Sequence, residues 1–507
     1  MSPPLPLRSM SGGLNRRRFI AASAIGAAGV HSFASESSDG DVLDVAVVGL
    51  NGRGGEHIRA LLNDDRCRIV ALVDVDPAVA SRRADQIAEA QGGRPDIYVD
   101  VRRVLDRDDV DAVTIATPNH WHALMGVWAM DAGKHVYLEK PISHNVREGR
   151  ALVEAAKRTG RVFQTGTQCR SSRAIIDGIR YIADGGIGEC RFARGLCYKR
   201  RKSIGPRGDY SPPADIDMEL WCGPAPDTDP PLTRERLHYD WHWQRHYGNG
   251  DSGNQGPHQT DIARWGLQLD RHPNRILTYG GRLGYDVERK NPKYVDAGDT
   301  ANTQVSLYDY GDRTIVFETR GLASDGGLSP DIRRAFGDGP GNRIGVLFYG
   351  DEGYVAQTQY TEMKVFDLDW NLRETFRSRD PTGEHFDDFV SAILASKPES
   401  VAADAMCGHL SASIAHLGNI SYYLGESNRA TVSEIRSAVE SFPSRDDDAA
   451  TLQNTVEHLR GNGVDLERTP LSLGPSLSFD PDAETFVDNA DADALLTRTY
   501  RSGFEIR

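Results

Sequence analysis

Apolar positions along this chain follow two rhythms. The first opens with Val45-Ala46-Val47-Val48, a continuous run of the kind carried by a strand buried on both faces. It passes through Gly49-Leu50-Asn51-Gly52-Arg53-Gly54 into a helical stretch over 56–62. The unit then recurs: Ile69-Val70-Ala71-Leu72-Val73, Asp111-Ala112-Val113-Thr114-Ile115-Ala116, Val136-Tyr137-Leu138 and Arg161-Val162-Phe163-Gln164-Thr165-Gly166 read as strands, with a helix over 123–132 between the second and third of these. Strands alternating with helices predict a parallel sheet. The second rhythm begins after 166–168. A helix over 172–184 leads to an extended run over 189–198, then to β-like runs over 275–279, 303–308, 314–319 and 344–349 separated by Gly/Asp turns. These predict a large, mostly antiparallel sheet with one open face. Phe386, Phe389, Val390, Ile393 and Leu394 fall at helical spacing, as do Leu410, Ile414 and Leu417, so two core-facing helices return late. The stretch 444–507 reads as an extension wrapped over the body.

The first turn carries chemistry. Strand, glycine turn and helix start follow in the order that presents backbone N–H groups to a pyrophosphate, and glycine lets the chain approach it closely. In the G-x-G-x-x-G pattern the middle glycine is replaced by Asn51, with Gly52 beside it. Asp74 ends the second strand twenty residues after Gly54, where a carboxylate accepts hydrogen bonds from the adenosine ribose and repels a 2′-phosphate. This points to NAD rather than NADP, although Arg82 and Arg83 stand nearby. Ligands of such sheets sit beyond the carboxyl ends of the strands. That placement predicts a cofactor site built from Gly49, Asn51, Gly52, Arg53, Gly54, Asp74, Thr117, Pro118, Asn119, His122, Glu139 and Lys140. The fold class is therefore α/β: a Rossmann dinucleotide-binding domain over 42–166, then an α+β domain over 167–443 carrying the open-faced sheet.

Glu139-Lys140-Pro141 closes the strand about 85 residues beyond the glycine turn. With the turn and Asp74, it makes the chain resemble the glucose-fructose oxidoreductase / inositol dehydrogenase family, Gfo/Idh/MocA, whose hallmark is Glu-Lys-Pro at the end of the fifth strand. The resemblance implies that Lys140 assists proton transfer at a substrate hydroxyl, that Glu139 lies near the nicotinamide ribose, and that the second sheet mediates oligomerisation.

The densest chemistry elsewhere lies at 237–261. His238, Tyr239, Trp241, His242, Trp243 and His246 precede a glycine-rich run ending at His258, and aromatic rings with polar tips suit a sugar-binding wall. Where the family places an aspartate four residues before its histidine, this chain has Asn254, which hydrogen-bonds but cannot act as a base. His258, titrating near neutrality, is the second catalytic candidate beside Lys140. Tyr198, Lys199, Trp241, Trp243, Asn254, His258 and Asp261 form the predicted substrate side. Asp261 either orients His258 or occupies the first turn of a helix. His238, His242 and His246 recur every four residues, but the intervening tryptophans and following glycines are poor helix formers and no ligand motif completes the set, so no metal site is expected.

Composition narrows the setting. With 507 residues the chain exceeds one core, and 39% hydrophobic with 26% charged residues describes a globular protein. A net charge of −14 disfavours nucleic acid and, weakly, acidic substrates. Six cysteines without a C-x-x-C pair read as core thiols. Asn15-Arg16-Arg17-Arg18-Phe19-Ile20, a small apolar run over 19–30 and Ser32-Phe33-Ala34 look like a twin-arginine export signal over 1–34, with a linker over 35–41. Cleavage there removes four arginines and no acid, moving the net charge to −18. The expectation is a periplasmic, homo-oligomeric, NAD-dependent oxidoreductase with no membrane contact after signal removal. It would pass hydride from a sugar or cyclitol hydroxyl to a tightly held nicotinamide. A redox-neutral NAD-dependent glycosidase or lyase and a non-catalytic sugar-binding protein are the alternatives.

Overall fold

The computed structural model describes residues 42–227, 232–291, 293–323 and 326–506; the expected signal and linker lie outside this set. Six parallel strands open the chain: β1 Leu43–Val48, β2 Cys67–Val73, β3 Asp96–Tyr98, β4 Ala112–Ile115, β5 His135–Glu139 and β6 Phe163–Gly166, arranged β3-β2-β1-β4-β5-β6. The order reverses between β1 and β4, and there the crevice beyond the strand ends opens. Helices Pro77–Gln91 and Val146–Thr159 show why the connections are sharp. Asp76 and Asn145 accept hydrogen bonds from the first free N–H groups, and Gly92 and Gly160 take the left-handed conformation that ends each helix.

The second sheet combines β7 Cys190–Tyr198, β8 Arg275–Gly281, β9 Thr303–Asp309, β10 Thr314–Arg320, β11 Arg343–Gly350, β12 Tyr354–Gln359, β13 Glu362–Phe366, β14 Leu372–Arg377, β15 Arg429–Ala430, β16 Leu471–Leu473, β17 Leu477–Asp480 and β18 Thr485–Phe486. Its pairings are antiparallel except β7 with β10. One face receives the helix Gly256–Gly266, whose Ile262 and Ala263 share a core with Ile315, Phe317, Val346 and Phe348. The other face, expected open, is covered over β8 to β10. Ile435, Val439, Leu452, Val456 and Leu459, from helices Val432–Glu440 and Asp448–Gly461, pack on Leu277, Tyr279, Val305, Leu307 and Val316. Thr278, Gln304 and Ser306 alternate with the apolar residues of β8 and β9 yet are buried, so in sequence these strands read as exposed on one face.

Two late helices tie the halves together. Thr382–Leu394 buries Phe386, Phe389 and Val390 against Val45, Val47 and Tyr137 of the first sheet, with Phe386 stacked on Tyr137 at 4.2 Å. Ala405–Leu424 runs between the two cores. The stretch after 444 adds β16 and β17 to β8. It also brings Glu484 to His272 and His409, whose Nε2 atoms lie 2.7 and 2.8 Å from Oε1, while Arg150 grips the same carboxylate. His409 is held neutral by burial, its pKa pushed down to about 4. The trio is thus a closed knot of hydrogen bonds that fastens the tail. Among the described residues no helix is long and apolar enough to cross a membrane.

Candidate active site

A cavity of about 590 Å³ opens beyond the carboxyl ends of β1, β2, β4 and β5 and runs under the segment 237–258. Its dinucleotide end is the glycine turn. Gly49 has φ +80°, and a Cβ there would meet the Ala116 carbonyl carbon at 2.7 Å; a Cβ on Gly54 would lie 1.8 Å from the Gly49 oxygen. Both glycines are therefore set by close backbone packing of strand, turn and helix. Gly52, at φ +48°, faces open space. Leu50 N donates to Asp74 Oδ2 at 2.8 Å and Asp76 N to Oδ1 at 3.0 Å, so Asp74 braces the turn while lining the cavity. Burial raises its pKa, against the lowering effect of those two N–H bonds. Arg83 lies against the turn, its Nε donating to Leu50 O at 3.2 Å.

Glu139 and Lys140 sit where β5 ends. Glu139 is buried, accepts from Arg53 Nε at 2.7 Å and lies 3.2 Å from His57 Nε2. Burial pushes this carboxyl up, but the Arg53 charge, the contact with His57 and the nearby Lys140 together outweigh it and keep the group well below the usual carboxylate range. Lys140 Nζ donates to the Asn254 carbonyl. Burial is the main cause that brings its pKa down to about 8; Glu139 opposes this, while Arg53, Arg201 and Lys199 add to it. His122 places its two ring nitrogens 2.6 Å from Pro141 O and 2.7 Å from Thr117 O, fixing the β4 turn to the end of β5. Thr117, Pro118 and Asn119 line the wall between them, and Asn119 Nδ2 donates to Asn249 Oδ1 at 3.1 Å.

His258 starts the helix Gly256–Gly266 and reaches the cavity beside Tyr360, their ring centroids 5.1 Å apart. Burial, helped by the Lys140 charge, lowers its pKa far below 6.5, so the ring is neutral; its Nδ1 is buried without a hydrogen-bond partner. Asn254, Lys199 and Trp241 line the same end, Trp241 stacked on His242 at 3.7 Å.

Three predicted substrate residues stand elsewhere. Tyr198 is buried in the second sheet and donates to Glu318 at 2.7 Å. Trp243 packs under the Arg201 guanidinium, 5.2 Å from its ring centroid. Asp261 faces away from the cavity, paired with Arg170 at 2.8 Å through both oxygens and bonded by Ser411 at 2.8 Å, so it does not orient His258. An acid one helical turn from a histidine reads as its partner until the neighbouring elements are known. His238, His242 and His246 do not converge: His238 meets Asp76, His242 meets the Tyr239 carbonyl, and His246 is absent from the cavity wall. Of the aromatic segment, His238, Tyr239 and His242 also line the wall, and the structure adds Trp121, Gln168, Trp221, Gln255 and Tyr360 to it. Tyr360 comes from the turn between β12 and β13, far along the chain, and nothing local in the sequence marks it.

A doubly wound parallel sheet with a glycine-turn cleft at its switch point defines a dinucleotide-binding protein of the Rossmann class. Residues 43–167 match the model of GFO_IDH_MocA, the oxidoreductase family with an NAD-binding Rossmann fold. Over 123 residues the chain is 34% identical to a glycosyl hydrolase family 109 protein of Shewanella baltica, covering 24% of this chain and 27% of that one. It is 32% identical, over the same shares, to an alpha-N-acetylgalactosaminidase of Shewanella oneidensis. The match spans only about a quarter of these curated relatives' length. In fold, the chain is similar to a levoglucosan dehydrogenase solved with NADH and L-sorbose, at TM-score 0.55 and 19% identity, over 74% of this chain and 94% of that one.

Proposed function

We propose that this protein is an NAD-dependent oxidoreductase acting on a hydroxyl of a sugar or cyclitol. The observation that carries the reading is Lys140, a half-buried lysine whose amine is held by the Asn254 carbonyl and whose pKa is brought down to about 8, at the mouth of a strand that ends on the dinucleotide cleft. The cleft fits the cofactor. Asn51, Gly52, Arg53 and Gly54 have no acceptor for their N–H groups among the described residues, and Gly52 leaves open space in front of them. Asp74 is placed for the adenosine ribose, and Arg53, anchored on Glu139, stands at the pyrophosphate end. When bound, NAD supplies the hydride acceptor.

The chain's own part is the proton. About a tenth of Lys140 is neutral at pH 7, enough to accept the hydroxyl proton as the carbon is oxidised. His258, neutral throughout the physiological range, holds that hydroxyl by a hydrogen bond and is too weak a base to keep the proton. Asn254 fixes the Lys140 amine through its main-chain oxygen, a job its side chain does not decide.

Export by the twin-arginine route, supported by Arg16-Arg17 and the apolar run behind them, belongs to the same proposal, and implies a cofactor retained between turnovers. Association of copies through the second sheet also belongs to it, supported by Leu368 and Leu372, exposed near and on β14. Mass spectrometry of small molecules released from the denatured, purified protein tests the cofactor; the absence of both NAD and NADP, with no uptake of either, would refute it.

The second reading is a redox-neutral glycosidase, favoured by the glycosyl hydrolase names of the curated relatives. Transient oxidation of one ring carbon would acidify its neighbour and allow elimination of the aglycone. Aryl glycosides separate the two: aglycone release without net NADH selects the glycosidase, stoichiometric NADH the dehydrogenase.

A further inference from the structure

Among the described residues, the substrate end of the cavity carries an excess of positive charge, its acids being already paired or lying at the dinucleotide end. Glu139, the carboxylate nearest Lys140 along the chain, is engaged by Arg53 and His57. Asp251, buried behind that end, is held by Arg201 at 2.7 Å. Asp74 and Asp100 lie at the dinucleotide end, and Asp100 is paired with Arg102. The imidazoles of His242 and His258 are neutral, the first brought down to about 3 mainly by burial. Against this stand two amines, Lys140 and Lys199. Lys199 follows β7 directly and lines the cavity half-buried, and its Nζ has no hydrogen-bond or ion-pair partner among the described residues. Its charge is felt at Lys140, whose proton it helps to loosen. Oxidised NAD would add a further positive charge on the nicotinamide ring. In a partly dry cleft such an excess favours a ligand that brings a negative charge.

Resting on the oxidoreductase reading above, we propose that the substrate is an anionic carbohydrate, a hexuronate or aldonate whose carboxylate pairs with Lys199 while the hydroxyl to be oxidised faces Lys140. A carboxylate is favoured over a phosphate or sulfate because the free cation is a single ammonium group. The guanidinium forks that cradle a multi-oxygen anion, Arg53 and Arg201, are committed to Glu139 and Asp251. The chain's overall charge of −14 does not oppose this, since surface charges are screened within about 8 Å at physiological salt while the cavity keeps its own field. Net charge alone pointed the other way because it averages over a surface the substrate does not meet.

The test uses the full chain loaded with NAD, titrated calorimetrically at low salt. Its probes are D-glucuronate, D-galacturonate and D-gluconate, their neutral counterparts D-glucose and D-galactose, and glucose 6-sulfate. At least one carboxylate probe should bind about tenfold more tightly than its neutral counterpart and more tightly than the sulfate. That ratio should fall towards one in Lys199→Met, persist in Lys199→Arg, and shrink with added salt. The inference is overturned if neutral sugars bind as well, if the sulfate outranks the carboxylates, if no probe binds, or if Lys199→Met keeps the ratio. Protein that carries NAD yet shows any of these results overturns only the anionic substrate. Protein that neither releases nor takes up a pyridine nucleotide overturns the oxidoreductase reading beneath it.

Discussion

Arg53, in the glycine turn, and Glu139, eighty-six residues later at the end of β5, meet at 2.7 Å between Nε and Oε1. The pair binds the loop that faces the pyrophosphate to the strand end that carries Lys140. A half-exposed arginine would wander; here a buried carboxylate, also touched by His57, fixes it. Under the proposed function, one contact sets both the cofactor loop and the position of the proposed base.

Removing the acid should unsettle both. Glu139→Gln keeps the shape but leaves Arg53 without its counter-charge, and breaking a buried pair from one side costs about 3 kcal/mol. Thermal unfolding should move to lower temperature and NAD should dissociate faster, both read from one purified sample by calorimetry and by a cofactor-release assay. An unchanged NAD off-rate would separate the pair from cofactor binding.

As the proposed proton acceptor, Lys140 would act only when unprotonated, so activity should climb with pH through about 8 and level off above it. Lys140→Met should lose roughly a hundredfold or more in kcat while still releasing NAD on denaturation. A flat kcat/KM profile between pH 6 and about 9 in the intact enzyme would remove lysine from the proton's path.

Gly54→Ala places a carbon 1.8 Å from the Gly49 oxygen. Overpacking of this kind costs about 1–3 kcal/mol of folding stability, so thermal unfolding should move to lower temperature, and the displaced turn should bind NAD more weakly in a titration of the cofactor-free protein. Gly52→Ala meets no neighbour, and only its positive φ opposes the change, so its effect should be the smaller of the two.

His385 is buried between the halves, its Nε2 donating to Thr165 O at 2.7 Å and its Nδ1 accepting from Gln164 Nε2 at 3.1 Å, an arrangement that needs the neutral ring. Burial brings its pKa down to about 4, below the 6.5 of an unfolded chain. Between those values the unfolded state binds more protons, so stability falls as pH drops from 6.5 towards 4, by about 3 kcal/mol when complete. Urea midpoints at pH 7, 5.5 and 4.5 should decline, and His385→Gln should make that decline shallower by this residue's share, the other buried histidines supplying the rest.

The chain alone determined the first domain. Buried parallel strands declare themselves as apolar runs, the glycines of the turn are imposed by backbone packing a few residues away, and Asp74 and Lys140 sit at strand ends, so their positions follow from the order of local elements. Only the tertiary structure decided the substrate side. Tyr198, Trp243 and Asp261 have the right chemistry but spend it on Glu318, Arg201 and Arg170, while Tyr360 and Trp221 reach the cavity from distant segments. The cover over the second sheet and the unanswered charge of Lys199 were likewise settled by packing. A side chain's partner depends on which elements meet around it, and that meeting is governed by the whole core rather than by any window of sequence.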